Sequence, residues 1–418
     1  MIERGKGVHV WDSDGRRYIE GLAGLWCTAL GHGVEELADA AREQMKKLAY
    51  SHLYVGRSHE AAVLLADRLV DMAPFPVSRV FFGTSGSDAN DTQIKLIWYY
   101  NNVLGRPRKK KIISRLKAYH GSTIASGSLS GLPVFHKLFD LPIANVLHTA
   151  CPHFYWGAEP GETEEEFATR LAAGLEQLIV DEGPDTVAAF IAEPVMGAGG
   201  VIVPPRTYFE KVQAVLKKYD VLLIDDEVIC GFGRTGNVFG AETVAMQPDT
   251  ITLAKALSSA YLPISAVLIP EPMYEVLEQG SDSIGVFGHG YTHRASRGRR
   301  GGTQGAGVIR AAGHFPPRPE GGPGIPVEIE PTCGVSACRG SARCRSDRGH
   351  RVRQRQGGQK GVFAPGRSRA LLRGALPGAR ADRSPDQRHD RIVPAPGCEQ
   401  RRCQRDLRYP GAVREGDP

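Results

Sequence analysis

At about Thr292 the chain changes character, and that change limits how much of it can fold. Residues 293–418 hold 25 Arg and 1 Lys against 11 acidic residues, with 13 Pro and only three aromatics. Residues 1–292 hold 13 Arg, 13 Lys and 35 acidic residues, so the formal charge of +6 divides into −9 for the body and +15 for the tail. Basic blocks are often nucleic-acid arms. The excess of Arg over Lys points elsewhere, to the composition that GC-rich coding DNA yields when translated out of frame. The tail also lacks the periodicity of a packed domain. It is expected to be disordered or irregular, with no nucleic-acid partner.

The body, in contrast, alternates apolar strand-like runs with helical stretches, the pattern of a doubly wound, mostly parallel α/β sheet. The expected strands are 79–82, 111–114, 188–191, 221–224, 250–253 and 265–269, and the expected helices 36–48, 58–72, 87–104, 164–180 and 208–219. In such sheets ligands gather beyond the carboxyl ends of the strands. Chemistry-bearing residues cluster at those ends. Phe82-Gly83-Thr84-Ser85-Gly86-Ser87 follows one strand and opens a helix, Ala118-Tyr119-His120-Gly121-Ser122 follows the next, and Glu193 follows a third. Asp225 and Asp226 end the run Leu222-Leu223-Ile224, and Lys255 ends Thr250-Ile251-Thr252-Leu253-Ala254.

Taken singly, each has an ordinary reading. A Gly/Ser turn before a helix caps it as readily as it binds phosphate, a Tyr at a strand end packs into a core, a terminal Asp caps a helix, and a Lys is solvated. Together, with Asp226 and Lys255 separated by 29 residues and Gly231-Phe232-Gly233-Arg234-Thr235-Gly236 between them, the segment 221–255 resembles the class III (omega-amino acid type) aminotransferases. The likeness runs through Gly288-His289-Gly290-Tyr291-Thr292.

The resemblance implies the fold type I architecture of pyridoxal-phosphate-dependent transferases, a large α/β domain around a mostly parallel seven-stranded sheet. Residues 1–45 would be the N-terminal part of the small domain, shortened at its start, and residues 46–292 the cofactor-binding large domain. Residues 293–418 would be an aberrant tail in place of the C-terminal small domain. Ser85, Gly86 and Ser87 would grip the cofactor phosphate, joined from the partner subunit of a homodimer by Tyr291 and Thr292. Tyr119, beside His120, would lie on the pyridine face. Asp226 would keep the ring nitrogen protonated, so that the ring acts as an electron sink; Asp225 points to the other face by strand alternation. Lys255 would hold the cofactor as an imine and then carry the substrate proton. Glu193 matches a carboxylate on the substrate side and Trp26 a pocket-lining position, while Arg234 shapes the Gly-rich turn.

The implied activity is ping-pong transfer of nitrogen from an omega-amino acid or amine to a keto acid such as pyruvate. An aminomutase or decarboxylase on the same fold, or a catalytically dead product, are the alternatives. Degenerate codons for residues 294–307, read one base later, permit Gly-His-Pro-Val-Ala-Ala-Ala-Val-Ala-Arg-Lys-Ala-Leu-Glu, close to the family segment that follows His-Gly-Tyr-Thr. A second such match falls near residues 393–405. A net gain of one base, or loss of two, near the codon for His293 accounts for both. The arginine with which family members hold a substrate carboxylate would then lie in the shifted frame, near the codons for Ser384 and Pro385. No run of 18 apolar residues and no signal-peptide pattern occurs, so no membrane partner and a cytoplasmic location are expected. The scattered cysteines lack metal-site spacing, and no metal is expected.

Overall fold

Each of the six apolar runs forms a strand, because each carries β-branched and aromatic residues bounded by turn formers. The computed structural model describes residues 1–53 and 57–290 together with the backbone of 412–413, all within one unit. The strands are β1 (Ile2–Lys6), β2 (His9–Asp12), β3 (Arg17–Glu20), β4 (Arg79–Gly83), β5 (Lys111–Arg115), β6 (Val146–Thr149), β7 (Val187–Ala192), β8 (Leu222–Asp226), β9 (Thr250–Leu253), β10 (Ser265–Ile269) and β11 (Ala412–Val413).

The large sheet has seven strands in the order β4-β10-β9-β8-β7-β5-β6. The pairs β5·β6, β5·β7, β7·β8 and β8·β9 are parallel. β10 runs antiparallel to both β4 and β9. The expected mixed, mostly parallel seven-stranded α/β sheet is therefore present. Its strands are apolar on both faces because helices cover both. All six residues of β7 are buried. Val187, Phe190 and Ala192 join a core with the helices Glu164–Glu182 and Tyr208–Lys218. Ala188, Ala189 and Ile191 face Ile94 and Ile97 of the helix Gly86–Val103.

The first three strands and several short helices escaped the sequence reading, as did two further elements. β6 is a four-residue edge strand, too short to show a period, and the helix Glu271–Ile284 begins directly at the end of a strand, after Pro270. The first three strands form a separate antiparallel meander, largely exposed on β1, to whose third strand β11 pairs through Ala412↔Glu20 and Val413↔Ile19. That short pairing departs from a wholly irregular tail. The expected boundary between residues 45 and 46 falls inside the helix Glu35–Lys47. Tyr291, Thr292 and the remainder of the tail lie outside the described residues.

Candidate active site

A cavity of about 300 Å³ opens at the carboxyl ends of the parallel strands, where the crossovers of an α/β sheet leave a crevice. Its walls come from the segments after β4 (Ser85, Gly86, Ser87), β5 (Tyr119, His120), β7 (Glu193), β8 (Asp226, Val228) and β9 (Lys255). Of the sequence-derived site residues within the described part, all but Trp26 meet there.

One end is built for an anion. Ser85 caps the 18-residue helix Gly86–Val103, its hydroxyl accepting from the Asp88 N–H in a reciprocal capping box. The N–H groups of the first turn and the helix dipole therefore face the cavity with partial positive charge. Asp88, next in the motif but given no role by the sequence reading, fixes the turn: Oδ2 accepts from the N–H groups of Thr84 (2.8 Å) and Ser85 (3.1 Å), and Oδ1 from the Ser265 hydroxyl (2.9 Å). Gly86 packs closely, since a Cβ there would stand 3.0 Å from Val228 Cγ1 and that side chain would have to give way. At Gly121, φ is +140° and a Cβ would collide with Ser126 and crowd the Ser87 hydroxyl, so this position needs glycine.

At the other end stands Asp226, 2 % exposed. Its Oδ2 accepts from Asn90 Nδ2 and His120 Nδ1, both at 2.7 Å, and its Oδ1 from the Val228 N–H at 3.1 Å. Three donors converge on a carboxylate that has a lone pair left for a further one. His120 is itself fixed, its N–H donating to the Ser130 hydroxyl at 2.9 Å. Glu193 is buried, and its two oxygens accept from the N–H groups of Tyr119 (3.1 Å) and Gly197 (2.9 Å). Burial raises its carboxyl above the ordinary range. It anchors the Tyr119 backbone while lining the cavity. The Tyr119 ring packs against Phe135 with centroids 5.1 Å apart, and burial, then the Asp226 charge, push its phenol up.

Lys255 enters from a single-turn helix at the end of β9 with φ of +46°. A non-glycine residue in the left-handed region is strained by roughly 1–3 kcal/mol, and such strain gathers at functional sites. It is half-buried, within reach of solvent and of the cavity.

Some expectations come out differently. Trp26 does not line the cavity; its neighbour Cys27 does, because positive φ at Leu25 and Trp26 turns the chain there. Arg234 donates from Nη2 to the Trp26 carbonyl at 3.2 Å, so it ties the Gly-rich turn to this segment. Asp225 points away from the cavity, as alternation requires. It shares the opposite face with Glu227, a buried carboxyl missed because nothing in its sequence setting separates it from a turn residue. Among the described residues no group of three His, Cys, Asp or Glu is placed to hold a metal, and no helix is long and apolar enough to cross a membrane.

Relatives extend the comparison. The sequence profile described as aminotransferase class-III matches residues 1–297. A mitochondrial gamma aminobutyrate transaminase 1 from Solanum lycopersicum is 58% identical over 294 residues, which are 70% of this chain and 57% of that protein. A mitochondrial counterpart from Oryza sativa is 56% identical, with 57% of its length covered. The chain thus spans somewhat more than half the length of these relatives. Among solved structures, a transaminase with L-alanine is 60% identical with a TM-score of 0.70, covering 70% of this chain and 69% of that one. The omega transaminase from Pseudomonas jessenii in complex with PMP is 55% identical with a TM-score of 0.70, covering 70% and 65%. With a matched profile over most of its length and a cavity assembled from the family's motifs, the chain belongs to the class-III aminotransferases.

Proposed function

We propose that this chain carries the cofactor half of a transaminase, moving nitrogen from an omega-amino acid or amine to a keto acid such as pyruvate, in the cytoplasm and as a homodimer. The convergence of Lys255, Asp226 and the Ser85-Gly86-Ser87 turn on one cavity carries the reading. The family implies pyridoxal phosphate, and the donor set fits it: a helix N-terminus for the phosphate at one end, a three-donor carboxylate with a spare lone pair at the other, and a primary amine at the rim.

When bound, that group supplies an electron sink for the carbon that loses its proton. Ser85 and Ser87, with the first-turn N–H groups, hold the phosphate. Tyr119 gives the ring a flat apolar contact. Asp226 would accept from the ring nitrogen and keep its proton in place. Lys255 Nζ would hold the cofactor and would serve as the base that takes the proton from the substrate carbon. Transfer is favoured over decarboxylation or aminomutation because the relatives matched across 1–297 are transaminases.

We further propose that residues 293–418 are an out-of-frame translation and that the chain as written transfers little or no amine. The charge reversal near Thr292 and the end of the family match at residue 297 support this. The test is to express the 418-residue chain beside a version with the frame restored at the codon for His293, adding pyridoxal phosphate to both. The restored protein should bind it and transfer amine, and Lys255→Ala should abolish transfer. A restored protein with neither bound-cofactor absorbance nor transfer refutes the transaminase reading. A chain as written that transfers at the restored rate refutes the frame reading.

A further inference from the structure

Asn90 stands outside every motif that drew attention to the cavity, yet it is the residue on which two of them converge. It is wholly buried on the helix Gly86–Val103. Its Nδ2 donates to the carbonyl of His120 at 2.8 Å and to Asp226 Oδ2 at 2.7 Å. Both amide hydrogens are consumed, and both acceptors lack a hydrogen to give. A flipped amide would aim its oxygen at two oxygens, so the orientation is determined. Asn90 Oδ1 has no partner. The residue is retained in spite of one unsatisfied polar atom, a cost of about 1–3 kcal/mol, and its amine side does the holding.

The helix adds a distance. Ser87 and Asn90 are three residues apart, on one face and separated by about 4.5 Å along the axis. The turn that faces the anion end and the side chain that grips Asp226 therefore belong to one rigid segment. Through the His120 carbonyl the same amide also fixes the segment bearing Tyr119. With Oδ2 saturated by Asn90 and His120, the lone pair left to Asp226 is on Oδ1.

We propose that Asn90 is a positioning residue for Asp226: it directs Oδ1 toward the cavity and sets the spacing between that oxygen and the phosphate-binding turn. The proposal rests on the cavity being the pyridoxal phosphate site. It concerns a contact that neither the catalytic lysine nor the phosphate turn requires.

The test uses the frame-restored protein, as wild type and as two variants, Asn90→Asp and Asn90→Leu, titrated with pyridoxal phosphate while bound-cofactor absorbance and melting temperature are followed. Asn90→Asp keeps the shape but sets a carboxylate against a carboxylate. We expect at least a tenfold rise in apparent Kd at pH 8, which shrinks as pH is lowered and the introduced carboxyl gains a proton to donate. Asn90→Leu should show a loss of similar size that does not change with pH. If Asn90 serves packing alone, Asn90→Asp keeps the wild-type affinity at pH 8, and the proposal is overturned. Should wild type show no bound-cofactor absorbance, the transaminase reading fails instead. Crystal structures of wild type and Asn90→Leu then decide: an Asp226 carboxylate displaced in the variant supports the proposal, and one unmoved overturns it.

Discussion

The two faces of β8 place three carboxyl groups within three consecutive residues and treat them in opposite ways. Asp226, on the face toward the helix Gly86–Val103, receives hydrogen bonds from Asn90, His120 and the Val228 N–H. Asp225 and Glu227, on the face toward the helices Glu164–Glu182 and Tyr208–Lys218, are as deeply buried. Neither oxygen of Asp225 has a donor other than a proton shared with Glu227. Glu227 accepts from the Ala241 N–H at 2.7 Å through one oxygen only. Burial, and after it the neighbouring Glu227, raise Asp225 well above its ordinary value, and burial raises Glu227 to about 7. Burial with few donors raises the carboxyls on one face, whereas on the other face three donors converge on one carboxylate. One residue of strand alternation separates the two outcomes.

The comparison breaks most readily at Asp226. In the frame-restored protein, Asp226→Ala should lower amine transfer by about a hundredfold or more, the scale lost when one preorganised contact to a reacting group is removed, while the fold is kept. Steady-state rates and a melting curve measured together check this. If transfer survived, the donor-rich face would have no role in the chemistry.

Smaller effects come from the other face. Asp225→Asn should leave cofactor affinity unchanged and, by removing a buried acid that resists ionisation, add on the order of 1–3 kcal/mol of stability at alkaline pH, read from denaturant unfolding. Glu227 sharpens the sign. An acid raised from 4.5 to about 7 on folding leaves the folded state holding more protons than the unfolded state between those values. Stability must fall as pH rises across that window and level off above it. In Glu227→Gln this fall should flatten, and a pH series of melting temperatures that kept it would assign the titration elsewhere. Least of all is expected from the exposed pair Arg42–Asp39, each side chain 65% exposed. Arg42→Ala should not shift the melting temperature measurably, which makes it the control for charge removal without burial.

Much of this site was legible in the chain. Lys255, Asp226 and the Ser85-Gly86-Ser87 turn follow apolar runs, and the carboxyl ends of parallel strands converge by topology, so placing the runs places the residues. Asn90 and Asp88 were not legible. Both are polar residues within a helix, where side chains most often face water, and only the packing of that helix on β8 and β10 gives them their acceptors and donors. Cys27 and Trp26 exchange places for a local reason: the run of positive φ from Ala23 to Trp26 turns the segment by an amount that no propensity forecasts.

By itself the sequence determined the order of strands and helices, the family and the residues that bear the chemistry, since hydrophobic period and turn chemistry are local properties. It also marked residue 292 as the place where the balance of charge reverses. Tertiary structure alone decided the surroundings of each carboxyl. Ionisation depends on how many donors reach a group and how much water is excluded from it, and both are set by elements distant along the chain: Asn90 lies 136 residues from the carboxylate it holds.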